Sequence, residues 1–252
     1  SRTVSDRCSG TKRQGRRGWV LASKSTVIRR EVAPGVHVCV AEPDTVNLGL
    51  VVGRTGALLV DTGSSPQQGR ALRASVAGVT DRPLVGVVVT HAHDDHALGL
   101  PAFADLVSYG HESLTAALAA PPSRALAVAA AVDLGDRRVE IAHLGAGHTA
   151  GDLVVVVPDA DLLFVGDLVE SAGPPWYGPD SVPHEWAATL DGVIGLMTAT
   201  TRAVPGHGHL VDREFVFDAR GRTAAVSGEL VRLVETGVAE AEALTTGSWP
   251  YP

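Results

Sequence analysis

Between Leu84 and Val89 the chain is almost wholly apolar and contains three consecutive valines. It then reads Thr90-His91-Ala92-His93-Asp94-Asp95-His96 with no spacer. So apolar a run predicts a central strand, Leu84–Thr90, covered on both faces. Such a strand needs neighbours in a sheet and layers on either side of it, which directs the chain towards an α/β architecture. Directly behind it come three imidazoles and two carboxylates in six positions. Left as a solvated turn, these costly groups would crowd without partners beside a valine strand. His91 and His93, two apart, can address one centre. Asp95 and His96 are adjacent, so their side chains diverge and can reach a second. Neutral imidazole and carboxylate suit zinc and similar divalent ions.

The rest of the chain supplies the layers. Strands are expected at Val36–Ala41, Leu48–Val52, Ala57–Val60, Val139–Ala142, Leu153–Val157, Leu162–Val165 and Arg202–Val204. Helices are expected at Gln68–Ala77, in the alanine-rich segments Glu112–Ala120 and Ser123–Val132, at Pro183–Thr198, and over Asp212–Leu244 with a break near Gly221 or Gly228. This order suggests two sheets with helices outside them.

Composition excludes several classes. Hydrophobic residues are 45% and charged residues 19%, a core-forming balance. Two cysteines in 252 residues do not make a disulfide-stapled fold or a cysteine-based zinc module. No apolar run approaches the length of a membrane helix, so no membrane role is expected. The net charge of −7 conceals an asymmetry. Residues 1–30 hold nine basic residues and one acidic residue, which leaves −15 on the other 222. Residues 1–25 are expected to form a disordered basic arm, and residues 26–252 one domain. The arm has an Arg16-Arg17 pair, but Lys24 cuts the apolar stretch that an export signal needs, so a cytoplasmic protein is expected. The acidic body disfavours nucleic acid as a partner.

Three later motifs each place a metal-type side chain just past a strand. They are Gly145-Ala146-Gly147-His148-Thr149-Ala150-Gly151-Asp152, Phe164-Val165-Gly166-Asp167 and Pro205-Gly206-His207-Gly208-His209. With His91-x-His93-x-Asp95-His96, and with Asp61 in Val60-Asp61-Thr62-Gly63, they resemble the metallo-β-lactamase superfamily over roughly residues 35–210. The resemblance implies an αββα sandwich of two mixed β-sheets flanked by helices, with a dinuclear zinc centre at one edge. His91, His93 and His148 would bind the first ion; Asp95, His96 and His207 the second; Asp167 would bridge them. Iron or manganese could replace zinc. Asp61 would support the His91–His96 loop by hydrogen bonds. Asp95 would be the catalytic residue, orienting a bridging hydroxide that attacks a small ester, thioester, lactone or lactam.

The chain departs from the best-studied members. Neither Cys8 nor Cys39 can act as their cysteine ligand, and Asp167 occupies that region. The pattern is more similar to the glyoxalase II, lactonase and phosphodiesterase groups. Two further readings share these motifs: a mononuclear iron, persulfide-dioxygenase-like oxidoreductase, and a phosphodiesterase or nuclease that uses the basic arm. A metal-bound scaffold without turnover is a third.

Residues 170–186 hold three of eleven aromatics and four of fifteen prolines. Trp176, Tyr177, His184 and Trp186 are therefore candidate walls of a pocket for a small carbonyl substrate. The same residues suit a cap over the sandwich or a dimer interface. His143 reads as a packed residue, His209 as a residue that takes no part in the site (a supporting or substrate-contacting role is the alternative), and His37 and His111 carry no role. Substrate and oligomeric state stay open at this level.

Overall fold

The computed structural model describes Ile28 and residues 30–251. The basic arm, residues 1–25, and Cys8 lie outside the described residues. A seven-stranded sheet runs in chain order through β1 (Arg30–Ala33), β2 (Val36–Ala41), β3 (Val46–Val52), β4 (Ala57–Val60), β5 (Leu84–Val88), β6 (Val107–His111) and β7 (Arg124–Leu126). Its first four strands are antiparallel, and β4 to β7 are parallel. A second sheet has the order β12 (Arg202–Pro205), β11 (Leu162–Gly166), β10 (Leu153–Val157), β9 (Arg138–His143) and β8 (Ala129–Asp133). Only β11 and β12 are parallel there. Both sheets are thus mixed.

Side-chain alternation along the strands builds three apolar layers. Leu58, Val60 and Val88 from the first sheet meet Ile141, Val155 and Phe164 from the second between the sheets. Leu59 and Val87 turn the other way, onto Leu72 of α1 (Pro66–Val76) and Phe103. Val154 and Leu163 turn outward onto Trp186, Leu190 and Val193 of α4 (Pro183–Leu196) and Val216 of α5 (Arg213–Glu235). The result is the expected αββα sandwich. Local signals agree with it: Ser65 caps α1 by accepting from Gln68 N–H, and Asp212 caps α5 by accepting from Phe215 N–H.

Two expectations from alanine content fail. Segment Ser123–Val132 is not a helix but β7 and β8, the crossing from one sheet to the other. Of Glu112–Ala120 only α3 (Leu114–Ala117) is helical. Alanine's helix preference is a few tenths of a kcal/mol per residue (about 0.5) and yields to tertiary pairing. Here Ser123 N–H donates to Ser108 Oγ and Ser108 N–H donates to Ser123 Oγ, which locks this strand beside β6. Val132, the one buried residue of β8, then faces the inter-sheet core. The third difference is the last helix. Gly221 and Gly228 do not break α5, which runs unbroken to Glu235 along α4. The break falls at Gly237, whose φ of 70° suits glycine, before α6 (Glu240–Thr246). Among the described residues no helix is long and apolar enough to cross a membrane.

Candidate metal centre

Every ligand-type residue singled out in the sequence sits beyond a strand end at one edge of the sandwich. Thr90 to His96 follow β5, and α2 (Asp94–Ala97) turns Asp95 and His96 inward. His148 lies between β9 and β10, Asp167 follows β11, and His207 follows β12. Hydrogen bonds tie this edge together across the sheets. Leu153 N–H donates to Thr90 O (2.8 Å), and Asn47 N–H donates to Gly206 O (2.7 Å). Asn47 Nδ2 also donates to Pro205 O and Gly208 O, both at 2.9 Å, and so holds the turn that presents His207. Gly206 packs so closely on Asp167 that a β-carbon there would overlap the carboxylate.

These placements bring the side chains into two groups, each with ligand atoms within 4.8 Å of one another. The first is His91, His93, His148 and Asp167; the second is Asp95, His96 and His207. In the first, His93 Nδ1 lies 3.1 Å from His91 Nε2 and 2.8 Å from His148 Nε2. In the second, Asp95 Oδ2 lies 3.1 Å from His207 Nε2. Asp167 spans both: Oδ1 is 3.2 Å from His96 Nε2, and Oδ2 is 3.5 Å from His148 Nε2 and 3.6 Å from His207 Nε2.

The outer nitrogens are held too. Asp61 has the left-handed φ of 62°, unusual for a side chain, and this turns its carboxylate beneath the loop. Its Oδ1 accepts from Thr90 N–H (2.7 Å), and its Oδ2 lies 2.8 Å from His96 Nδ1. A proton on that Nδ1 leaves Nε2 as a lone pair pointing into the site. Thr90 Oγ1 does the same for His91 Nδ1 at 3.1 Å, and Asp180 for His93 Nε2 at 3.0 Å. His96 Nε2 and Asp167 Oδ1 are buried and lack a hydrogen-bond partner of good geometry. Buried orphans facing converging lone pairs fit a divalent cation, and the N/O donor set fits zinc.

The protonation pattern has the same origin. Burial, and then the charge on His96, push His91 well below the ordinary imidazole pKa. Burial takes His148 down to about 4. Burial also opposes charge on His96, but Asp167 and Asp61 outweigh it and hold its pKa well above the ordinary value. At His207 the bonds to Asp167 and Asp95 outweigh burial and raise it to about 10. Asp167 is buried, yet His96 and His91 hold it well below the carboxylate range.

The centre floors a cavity of about 590 Å³ lined by Thr45, Asp94, Asp95, Asp167, Glu170 and Trp176 among others. Of the four candidate wall residues, only Trp176 reaches it. Trp186 is fully buried; its Nε1–H donates to Leu168 O, and its ring supports His148 from behind at 5.6 Å between centroids. Tyr177 turns to Thr223 and Tyr251 in a separate apolar recess. His184 is exposed at the start of α4 beside Glu185. Proline spacing marked the loop but not which way each ring turns. His209 is outside both groups and stacks near Phe215. His143 stacks on His111 at 4.1 Å, away from the cavity. Cys39 is buried in β2, with its thiol pushed up to about 11 by burial.

Four contributors escaped the sequence reading. Asn47 had a signal, a polar residue inside an apolar strand. Thr90 had its place at the strand end. Asp180 and Glu170 had none, because their roles come from how the loop folds back. Burial, then the charge of Asp167, raises the Glu170 carboxyl to about 7; a cation held by Asp167 would favour its ionised form.

A four-layer sandwich with a histidine- and aspartate-rich edge defines a class of metal-binding α/β proteins. The chain belongs to the metallo-beta-lactamase superfamily, whose family model matches residues 41–209. A metallo-beta-lactamase type 2 from Bacillus cereus is 30% identical over 174 residues, covering 66% of this chain and 68% of that protein. An acyl-coenzyme A thioesterase from Gallus gallus is 26% identical over 212 residues, covering 68% and 75%. In shape, the crystal structure of DIM-1 metallo-beta-lactamase matches with a TM-score of 0.71 at 21% identity, over 80% of this chain and 99% of that one.

Proposed function

We propose that the protein is a two-zinc hydrolase that cleaves a small ester, thioester, lactone or lactam. The observation that carries this reading is the pair of ligand groups at the floor of an open cavity, with Asp167 of the first group reaching to within 3.2 Å of His96 and 3.6 Å of His207 in the second. When bound, zinc supplies a water acidified towards neutral pH and polarises the attacked carbonyl oxygen. The chain's own residues do the rest. His91, His93 and His148 would hold one ion, Asp95, His96 and His207 the other, and Asp167 both. Asp95 lines the cavity and is the carboxylate placed to orient the nucleophile and accept its proton. Trp176 forms an apolar wall over His93, with the two ring centroids 5.2 Å apart. The relatives support acyl transfer to water, since a lactam and a thioester are both acyl compounds.

The test is a panel of lactone, thioester, ester, β-lactam and phosphodiester substrates, run with zinc-loaded protein and with chelator-treated protein. Zinc-dependent hydrolysis of an acyl substrate is expected. One iron per chain, with oxygen consumption on a persulfide, would replace this reading by the oxygenase one.

A further inference from the structure

The wall of the cavity carries a charge pattern that the metal chemistry does not require. Its lining includes Asp94 and Glu170 in addition to the ligand carboxylates Asp95 and Asp167, and contains no lysine or arginine. Glu170 is half-buried, three residues beyond Asp167. Its Oε1 accepts from the Trp176 N–H at 3.3 Å, which fixes its carboxylate beside the root of the aromatic wall. Among the described residues it forms no ion pair with a lysine or arginine that would cancel its charge. The cavity does not rest on Asp94 and Glu170, because the buried Asp167 Oδ1, without a hydrogen-bond partner of good geometry, marks its metal end independently of them.

Two zinc ions carry four positive charges. Asp95, Asp167 and one hydroxide would offset three of them, and Asp94, with Glu170 ionised beside the cations, would outweigh the remainder. A substrate carboxylate near the scissile bond therefore finds no cationic side chain and meets Glu170 instead. An ammonium group finds a carboxylate beside an aromatic ring, a favourable pairing. Resting on the hydrolase reading, we propose that Glu170 is a specificity residue. It makes the cavity reject acyl substrates with an anionic group beside the scissile bond and prefer neutral and amine-bearing ones.

The experiment uses one thioester scaffold with three substituents next to the acyl carbon: methyl, aminomethyl and carboxymethyl. It compares kcat/KM for the zinc-loaded wild type, Glu170→Gln and Glu170→Lys. Melting and zinc content show that each variant is folded and loaded. Binding of the matching non-hydrolysable ketones, measured by calorimetry, gives a readout independent of turnover. The wild type should disfavour the carboxymethyl substrate by about tenfold or more against the methyl one. Glu170→Gln should narrow that gap, and Glu170→Lys should invert it, in turnover and in ketone binding alike. Hydrolysis with equal rates on the methyl and carboxymethyl members, or a ranking unchanged in Glu170→Lys, overturns the specificity role and leaves the hydrolase reading intact. No zinc-dependent hydrolysis of any member or of the ester, lactone and lactam panel, with no ketone bound, overturns both.

Discussion

The Asp61 carboxylate lies 2.8 Å from Nδ1 of His96, beneath the loop that carries His91, His93, Asp95 and His96. It also accepts from the Thr90 N–H and from the Thr90 hydroxyl. One buried charge thus sets the tautomer of His96 and the path of the backbone into the loop. Asp61→Asn keeps the shape and removes the charge. Zinc affinity of the second group should fall about 10- to 100-fold, with the fold retained. Competition against a chromophoric chelator measures this; an unchanged affinity would show that Asp61 only shapes the turn.

Asp180 plays the corresponding part for His93 at 3.0 Å, but it is about half exposed. Water can replace it in part, so Asp180→Ala should weaken binding at the first group by only about tenfold. Asp180→Glu should recover some of that loss. Cobalt-substituted protein offers the readout, because its visible spectrum reports the geometry around His93. An identical spectrum and affinity in Asp180→Ala would remove Asp180 from the site.

Metal uptake should release protons. Without metal, Asp167 and its neighbours raise the pKa values of both His96 and His207, that of His207 to about 10, so both rings should carry protons at neutral pH. Each must lose its proton to become a ligand. Affinity at the second group should therefore rise with pH between 6.5 and 8, approaching about two decades per unit, and flatten above the pKa values. Calorimetric titration in buffers of different ionisation enthalpy counts the protons. Uptake without release would mean that both rings are already neutral.

The two tryptophans near the site should separate cleanly. Trp186 is fully buried behind His148, so Trp186→Ala should cost about 3–5 kcal/mol in denaturant unfolding. Trp176 is 55% exposed at the cavity wall, so Trp176→Ala should change stability by less than about 0.5 kcal/mol and act on KM instead. Equal stability losses would contradict the placement of Trp176 on an open wall.

What could be read from the chain follows from how local each signal is. The strand-then-ligand pattern at Leu84–His96 is contiguous, and the short apolar runs of β4 and β10 are a property of a few residues each, so both were visible. Segment Ser123–Val132 was misread because its strand pairing depends on Ser108, far away in sequence, while its alanines favour a helix only weakly. The candidate ligands were legible because glycine-rich turns mark His148 and His207. Their orienting partners were less so: Asp180 reaches His93 across 87 positions, and Asn47 reaches Pro205 across 158. The roles of Trp176 and Trp186 turn on which face of one loop each ring occupies, and composition carries no such information.

The most direct test is anomalous diffraction at the zinc absorption edge from crystals of the zinc-loaded protein. Two peaks are predicted. One should lie about 2.0–2.2 Å from His91, His93 and His148 nitrogens, the other at like distance from Asp95, His96 and His207, with Asp167 between them. No peak at either group in excess zinc, or a single ion held by other residues, would contradict the two-zinc centre.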